Sequence, residues 1–337
     1  MIKFYKLMFF NTLVIGTLIT ISSYSWLSMW MGLEINLLSM LPLMKNQKNI
    51  MPSESALKYF ITQALASSVL LFSIITIMNI NEFIPQNSNN FMMMVMNSAL
   101  LTKMGAAPFH FWFPEIMEGL EWTCCLIMLT WQKIAPMIIL MHNCKMIIFL
   151  SVIIIFSSIV GGMMGLNQIS LRKILAYSSI NHMGWMIASM MNYQTIWINY
   201  FVIYSIISFN IIMILKTTNT YMIKQLTSSM NQNKMLKLLF IMNFLSLGGI
   251  PPLLGFFPKW LTINSLVMNN FFALSMILIT MTLITLFFYL RLTFSTMVMN
   301  TEESLLHVPK KMSFLIVTSN MISLAGLSIC TLIFNFY

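Results

Sequence analysis

The sequence predicts an all-α, polytopic membrane protein, and three observations support this fold class. Of the 337 residues, 58% are hydrophobic and only 8% are charged, and the mean hydropathy is +0.84. Apolar runs of about 20 residues, long enough to cross a bilayer as a helix, follow one another. The polar gaps between them are too short to hold a soluble domain. A net charge of +10 lies largely in these gaps, so it indicates membrane orientation rather than a nucleic-acid partner.

About eleven spans meet the length criterion, and they form one transmembrane domain over residues 1–337. The predicted spans are Phe4–Ile21, Ser25–Met44, Leu57–Ile80, Phe91–Phe113, Trp122–Met141, Ile147–Leu166, Ile174–Met191, Thr195–Leu215, Leu238–Val267, Phe271–Leu290 and Ser313–Phe336.

The loop charges support this count. With the N-terminus on side one, alternation of the spans places only Lys145 on side two. Side one receives Lys3, Lys6, Lys45, Lys48, Lys58, Arg172, Lys173, Lys216, Lys224, Lys234, Lys237, Arg291, Lys310 and Lys311. The positive-inside rule makes side one the matrix or the cytoplasm. For a mitochondrial protein, the N-terminus would lie in the matrix and the C-terminus in the intermembrane space.

Composition favours the mitochondrion. Methionine occurs 36 times, and the chain contains no aspartate, which is typical of AT-rich mitochondrial coding. The four cysteines show no spacing that would bind a metal, so we expect free, packed thiols and no metal site.

Four charged residues lie well away from the ends of the predicted spans, near mid-depth: Glu34, Lys103, Lys133 and Lys259. Lys103 is roughly 18 Å into a helix that starts at Phe91, at 1.5 Å per residue. Charges at that depth are costly in lipid and mark functional sites. For any single lysine, a snorkelling side chain or a structural ion pair is the alternative; four such residues together favour function.

Two spans also contain helix-breaking residues. The first break is predicted at Gly105 and Pro108, and the second at Gly248, Gly249, Pro251 and Pro252. Five spans separate the two breaks, and this odd offset predicts inverted-topology repeats of five helices each. The repeats would cover about residues 4–142 and 147–291, with an additional C-terminal helix at about 313–336.

Two histidines are candidate proton relays. His110 follows the first break, and His182 lies about eight residues into the seventh predicted span. The alternatives are that His110 satisfies freed backbone carbonyls and that His182 is a hydrogen-bonded packing residue.

Five ordered motifs carry a resemblance over essentially the whole chain. They are Trp-Met-Gly-Leu-Glu-Ile-Asn, Lys-Met-Gly-Ala-Ala-Pro-Phe-His-Phe-Trp-Phe-Pro-Glu, Leu-Thr-Trp-Gln-Lys-Ile-Ala-Pro, Lys-Ile-Leu-Ala-Tyr-Ser-Ser-Ile-Asn-His-Met-Gly-Trp and Leu-Gly-Gly-Ile-Pro-Pro-Leu-Leu-Gly-Phe-Phe-Pro-Lys-Trp. The chain resembles the chain 2 family of animal mitochondrial NADH–ubiquinone oxidoreductase (respiratory complex I), in its arthropod form. One departure is the link Ile-Met-Glu-Gly-Leu-Glu-Trp after Phe-Pro-Glu, where the family often has a Thr/Pro-rich segment.

The resemblance implies an antiporter-like, proton-translocating subunit of the complex I membrane arm in the mitochondrial inner membrane. It implies that Glu34 pairs with Lys103, that Lys133 is the central lysine, and that Lys259 belongs to the second broken helix. It also implies that NADH, FMN, iron–sulfur clusters and ubiquinone are bound by other subunits, so this chain would hold no cofactor. Implied partners are chain 4, chain 4L, the lateral helix of chain 5, supernumerary subunits, and phospholipid including cardiolipin.

Two other functions use the same residues and stay open. A free-standing cation/proton antiporter would need no partner subunits. A non-pumping structural subunit would use the buried charges only to hold its helices together.

Overall fold

A computed structural model describes residues 4–45, 50–80, 89–144, 146–230, 234–298 and 314–334. Fifteen helices, α1 to α15, account for nearly all of these described residues. In order they are Phe4–Ser22, Trp26–Met44, Met51–Ile80, Asn89–Met104, Trp112–Gly119, Trp122–Leu129, Trp131–His142, Ile147–Gly165, Leu171–Asn192, Gln194–Thr218, Ile223–Met230, Lys234–Gly248, Phe256–Met268, Phe272–Val298 and Phe314–Phe334. The prediction of an all-α membrane protein is confirmed.

Seven stretches of the described residues are long and apolar enough to cross a membrane as unbroken or nearly unbroken helices. The length criterion cannot recognise the pairs α4/α5 and α12/α13, because each is interrupted by a non-helical segment. The total of eleven spans therefore stays a prediction. Lys3, Lys48, Lys145, Lys310 and Lys311, which contributed to the charge argument, lie outside the described residues, as do the predicted span ends Ser313 and Phe336.

The chain forms two compact units, Met1–Ile153 and Ile154–Tyr337, and their boundary falls within α8. The predicted repeat boundaries, 4–142 and 147–291, stay a prediction. Each unit contains one of the two interrupted helix pairs.

Small residues allow the helices of each unit to pack closely. In the first unit, a Cβ added to Gly32 of α2 would lie 2.9 Å from the carbonyl oxygen of Gly16 in α1. In the second unit, a Cβ on Gly161 of α8 would lie 2.6 Å from the backbone nitrogen of Asn181 in α9. Helix contacts through glycine are common in membranes, where van der Waals packing drives association.

Both predicted helix breaks are present, and both helices end in the same hydrogen-bonded cap. At the first break, Gly105 has φ +76, its N–H donates to Thr102 O at 3.2 Å, and the Ala106 N–H donates to Leu101 O at 3.1 Å. This is the Schellman arrangement, which needs a left-handed residue that glycine adopts at little cost.

The second break repeats this arrangement. Gly249 has φ +78, its N–H donates to Ser246 O at 3.0 Å, and the Ile250 N–H donates to Leu245 O at 3.3 Å. A proline stands three residues after each of the two glycines, at Pro108 and Pro252. Both helices therefore end with the same cap and the same glycine–proline spacing.

The fifth predicted span, Trp122–Met141, lies within the long apolar stretch Trp122–His142, and this stretch has an irregularity near its middle. The helix α6 ends at Leu129 and α7 begins at Trp131. Thr130 between them has φ −115 and ψ −72, and its hydroxyl donates to Leu126 O at 2.8 Å. A threonine that bonds back to the preceding turn competes with the helical ladder, so an irregularity at this residue has a local cause.

Candidate functional site

The first unit brings Glu34 and Lys103 together. Glu34 of α2 places Oε1 3.6 Å from Nζ of Lys103, which is the second-last residue of α4. The Lys103 side chain is 4% exposed and that of Glu34 is 26% exposed. The separation agrees with the sequence-based expectation of a close pair. It is longer than a direct charge-assisted hydrogen bond of about 2.7–2.9 Å, so the two charged groups are close but do not form a short, direct hydrogen bond.

Neutral side chains satisfy two of the carbonyls that the first break releases. The Gln63 amide of α3 donates to Lys103 O at 3.3 Å. The Trp112 indole N–H, at the start of α5, donates to Thr102 O at 3.0 Å. Helix ends leave carbonyls without intrahelical donors, and in a membrane these must be satisfied by protein or water. The Lys103 ammonium is therefore not needed as a cap.

Lys133 lies on the same cavity as Lys103. Its side chain is 1% exposed, and its Nζ is 5.6 Å from the centroid of the Phe113 ring, within the range of a cation–π contact. A cavity of about 20 Å³ is lined by both lysines. About 10–15 Å³ accommodates one water, so the cavity that the two lysines line has room for one.

A chain of three polar side chains forms part of the cavity wall. The Gln132 Nε2 donates to Asn36 Oδ1 at 2.9 Å, and the Tyr59 hydroxyl donates to Gln132 Oε1 at 3.4 Å. All three residues line the cavity. None of the three was a candidate site residue from the sequence.

In the second unit, Lys259 of α13 donates to the end of the preceding helix. Its Nζ lies 3.1 Å from Leu247 O and 2.9 Å from Gly248 O. The centroid of the Trp185 ring is 6.0 Å away. Carbonyls at a helix C-terminus carry partial negative charge, which stabilises a cation there. A Cβ on Gly249 would lie 2.8 Å from Lys259 Cδ, so this glycine also leaves room for the lysine side chain.

The two histidines take different positions. The Nδ1 of His110 is 3.2 Å from Pro108 O, and its ring lies 4.3 Å from that of Phe111. His110 is not among the residues that line the Lys103–Lys133 cavity. The contact with Pro108 O is compatible with the alternative in which His110 satisfies a freed carbonyl, and the relay role of His110 stays a prediction.

His182 is buried in the second unit, and its Nδ1 is 2.9 Å from the Tyr200 hydroxyl. Both residues line a cavity of about 10 Å³ whose wall includes Leu247, one of the residues that accepts from Lys259. This location is compatible with a relay near Lys259 and with a packing role. The relay stays a prediction.

The caps also reveal a sequence repeat that spacing arguments missed. Aligning Gly105 with Gly249 gives the shared pattern Leu-x₃-Gly-x₂-Pro-x₄-Phe-Pro. It begins at Leu101 in one unit and at Leu245 in the other. In this register Glu115 corresponds to Lys259, whereas Lys103 corresponds to Leu247. The lysines of the two broken helices are therefore not equivalent positions.

Comparison with known proteins identifies the family. The membrane-spanning family "NADH:quinone oxidoreductase/Mrp antiporter" matches residues 23–285. The NADH-ubiquinone oxidoreductase chain 2 of Anopheles gambiae is 48% identical over 332 residues, covering 97% of both chains. The chain 2 protein of Locusta migratoria is 47% identical over 97% of this chain and 96% of its own length. The chain belongs to the NADH-ubiquinone oxidoreductase chain 2 family.

Solved structures share the fold at low sequence identity. A chain of respiratory complex I from Thermus thermophilus is 22% identical, with a TM-score of 0.89 over 98% of this chain and 79% of that one. A chain of the Mrp complex from Dietzia sp. is 14% identical, with a TM-score of 0.76 over 83% of this chain and 58% of that one. These likenesses show an antiporter-like membrane fold.

No group of three or more His, Cys, Asp or Glu side chains in the described part of the chain could hold a metal ion. Cys124, Cys125 and Cys144 are free thiols.

Proposed function

We propose that this chain is a proton-translocating, antiporter-like subunit of the complex I membrane arm, in the mitochondrial inner membrane. It would help to couple NADH:ubiquinone oxidoreduction to proton pumping. The observation that carries the proposal is the Glu34–Lys103 pair at a helix break, together with a cavity that Lys103 and Lys133 both line. The redox cofactors would belong to other subunits, and the N-terminus would face the matrix.

The chemistry follows from the surroundings of the lysines. Removing a lysine from water favours its neutral amine, and a nearby carboxylate favours its protonated form. At a separation of 4 Å and an effective dielectric of about 20, the pair interaction is on the order of 4 kcal/mol. Moving one charge across 100 mV costs about 2.3 kcal/mol. A modest movement of Glu34 relative to Lys103 can therefore load or release a proton against a membrane potential.

The exposure of Glu34 supports assembly with neighbours. Its side chain is 26% exposed in the isolated chain although it lies within a membrane span. A carboxylate facing lipid is costly, so a neighbouring protein surface would cover it in the complete enzyme. Membrane-arm subunits such as chain 4 and chain 4L are the proposed neighbours.

The free-standing antiporter is the competing function, because the matched family includes Mrp antiporters. The identity of 48% over 97% of the chain to a complex I subunit favours the multisubunit enzyme. Purification of the chain in native membranes distinguishes the two. Co-purification with NADH-oxidising subunits supports the proposal, and a fully active isolated transporter contradicts it.

Lys133 provides the main test, in complexes reconstituted into liposomes. Lys133→Met keeps the side-chain length but removes the proton site, so assembly should largely survive while proton translocation falls. Lys133→Arg keeps the charge but does not release a proton near neutral pH, so it should fail similarly. The measurement is the rate of proton translocation per assembled complex, and NADH oxidation should fall with it if transport is tightly coupled to the redox chemistry.

The matched control is Lys224→Met, which removes an exposed lysine from α11 and should leave pumping unchanged. Near-normal pumping by Lys133→Arg would support the structural-subunit alternative, since a preserved charge would then be sufficient.

A further inference from the structure

Gln132 has a side-chain amide whose orientation is determined by its neighbours. It immediately precedes Lys133 on α7 and is half-buried. Its Nε2 donates to Asn36 at 2.9 Å, and its Oε1 accepts from Tyr59 at 3.4 Å. With both ends of the amide bonded, the group cannot rotate without losing a hydrogen bond.

Gln132 also lines the cavity that the two lysines of the first unit line. Gln132, Asn36 and Tyr59 come from three helices, α7, α2 and α3, and all line the cavity that Lys103 and Lys133 line. A buried water needs two to four polar partners, and this wall supplies them. The cavity volume of about 20 Å³ is sufficient for one such water.

The geometry points to Gln132 as a positioning residue that orients a bridging water for proton transfer between Lys103 and Lys133. This inference rests on the proposed function. An amide offers donors and an acceptor but does not itself exchange a proton as a neutral side chain, so it orients the water and does not carry the proton. One N–H bond breaks at the Lys103 ammonium and one forms at the neutral Lys133 amine. The water accepts one proton and donates another, and no other reactant is needed.

A hydrogen bond that only joins two helices would not need to involve residues of the cavity wall. Such a bond exists between α2 and α3, where the Trp30 indole N–H donates to Ser67 O at 3.1 Å. Neither of those residues lines the cavity. The Tyr59–Gln132–Asn36 chain differs because each of its members is part of the cavity wall.

Gln132→Met tests the inference in the assembled, reconstituted complex. Methionine keeps the length and apolar packing of the side chain but cannot orient water. The expected result is a roughly five-fold slower pumping turnover per assembled complex, the factor that corresponds to one lost hydrogen bond of ordinary strength. The solvent deuterium isotope effect on pumping should rise, because proton transfer through disordered water becomes the slow step.

The control is Ser73→Ala, which removes another buried polar group from the same unit. The Ser73 hydroxyl donates to Leu70 O in its own helix at 2.7 Å and lies away from the cavity. This variant should pump with unchanged turnover and an unchanged isotope effect. A purely structural role for Gln132 predicts less assembled complex but the same turnover and isotope effect in what remains, and that result overturns the inference.

Asn36→Leu is the second variant, because it removes the shorter of the two bonds that hold the amide. It should raise the isotope effect in the same way, and combining it with Gln132→Met should add little. If Gln132→Met fails to assemble, Asn36→Leu decides, and normal pumping in it contradicts the inference. Failure of both variants to assemble would also count against the inference, since the Tyr59–Gln132–Asn36 hydrogen bonds would then serve only to hold the helices together.

The outcome at Lys133 separates this inference from the proposed function. If Lys133→Met abolishes pumping while Gln132→Met pumps normally, only the role of Gln132 is wrong. If Lys133→Met itself pumps normally, the proposed function fails first.

Discussion

In the first broken helix, Lys103 precedes the break and faces the Glu34 carboxylate at 3.6 Å. In the second, Lys259 follows the break and donates to the carbonyls of Leu247 and Gly248 at 3.1 and 2.9 Å. The backbone caps are the same, but the lysines stand on opposite sides of them. The partner of Lys103 is a charged side chain on another helix, which can approach or retreat. The partners of Lys259 are backbone dipoles fixed at the break itself.

This difference separates two ways of controlling a buried amine. A carboxylate carries a full charge, so small relative movements of α2 and α4 change its effect on Lys103 strongly. Helix-end carbonyls carry only partial charge, and their effect on Lys259 changes only if the break deforms. The first site is therefore sensitive to side-chain position and the second to backbone geometry.

The largest expected effect is from Lys103→Met, because it leaves Glu34 without its cation. Once a neighbouring subunit covers Glu34, as proposed, breaking this ion pair from one side costs about 3–5 kcal/mol. Lys259→Met leaves two carbonyls without a donor, at about 1–3 kcal/mol. The amount of assembled complex, measured on native gels, should fall further for Lys103→Met than for Lys259→Met.

Adding Glu34→Gln provides the control for this difference. It should restore assembly to Lys103→Met, because the unpaired charge is removed, and should give no such rescue to Lys259→Met. Equal losses in the two single variants, or no rescue of the first, would show that Glu34 is not the partner that matters.

A smaller effect is expected at the two cap glycines. Alanine at a left-handed position costs roughly 1–2 kcal/mol, so Gly105→Ala and Gly249→Ala should reduce assembly to a similar extent. Only Gly249→Ala also displaces the lysine, since its Cβ would lie 2.8 Å from Lys259 Cδ, whereas at Gly105 the nearest atom is Phe113 Cβ at 3.1 Å. Pumping per assembled complex should therefore fall more in Gly249→Ala. Identical pumping in the two variants would contradict the proposed dependence of Lys259 on the break.

Much of this geometry could be predicted from local sequence, and some of it could not. Glycine and proline placed both breaks correctly, because their backbone limits are local. The pairing of Glu34 with Lys103 was implied by the family resemblance, and the cost of an unpaired charge at membrane depth is the physical reason for it. The helix irregularity at Thr130 was missed, since a threonine within an apolar run has little predictive weight.

The polar neighbours were missed for a different reason. Gln132 and Asn36 are 96 residues apart, and Gln63 and Lys103 are 40 apart. Hydrogen bonds at such separations depend on helix packing, which no local pattern encodes. The repeat pattern from Leu101 and Leu245, in contrast, was present in the sequence and could have been found by aligning the two glycine–proline pairs.

The smallest expected effect concerns the neutral cap of the first break. Trp112→Phe keeps an aromatic ring beside Tyr59, whose ring centroid is 6.1 Å away, but removes the indole N–H that donates to Thr102 O. That carbonyl then retains only the Gly105 N–H, which Leu101 O shares. The loss should be about 1 kcal/mol, seen as a smaller fraction of complex surviving a graded heat challenge. Pumping per surviving complex should stay normal, because this cap carries no charge.

Trp30→Phe is the matched control. It loses a similar hydrogen bond to Ser67 O, but that carbonyl lies mid-way along α3, where the helical ladder supplies its donor. Trp30→Phe should therefore survive heating better than Trp112→Phe. A pumping defect in Trp112→Phe would mean that the backbone at the first break, and not only the Glu34 carboxylate, controls Lys103, and the contrast between the two units would be lost.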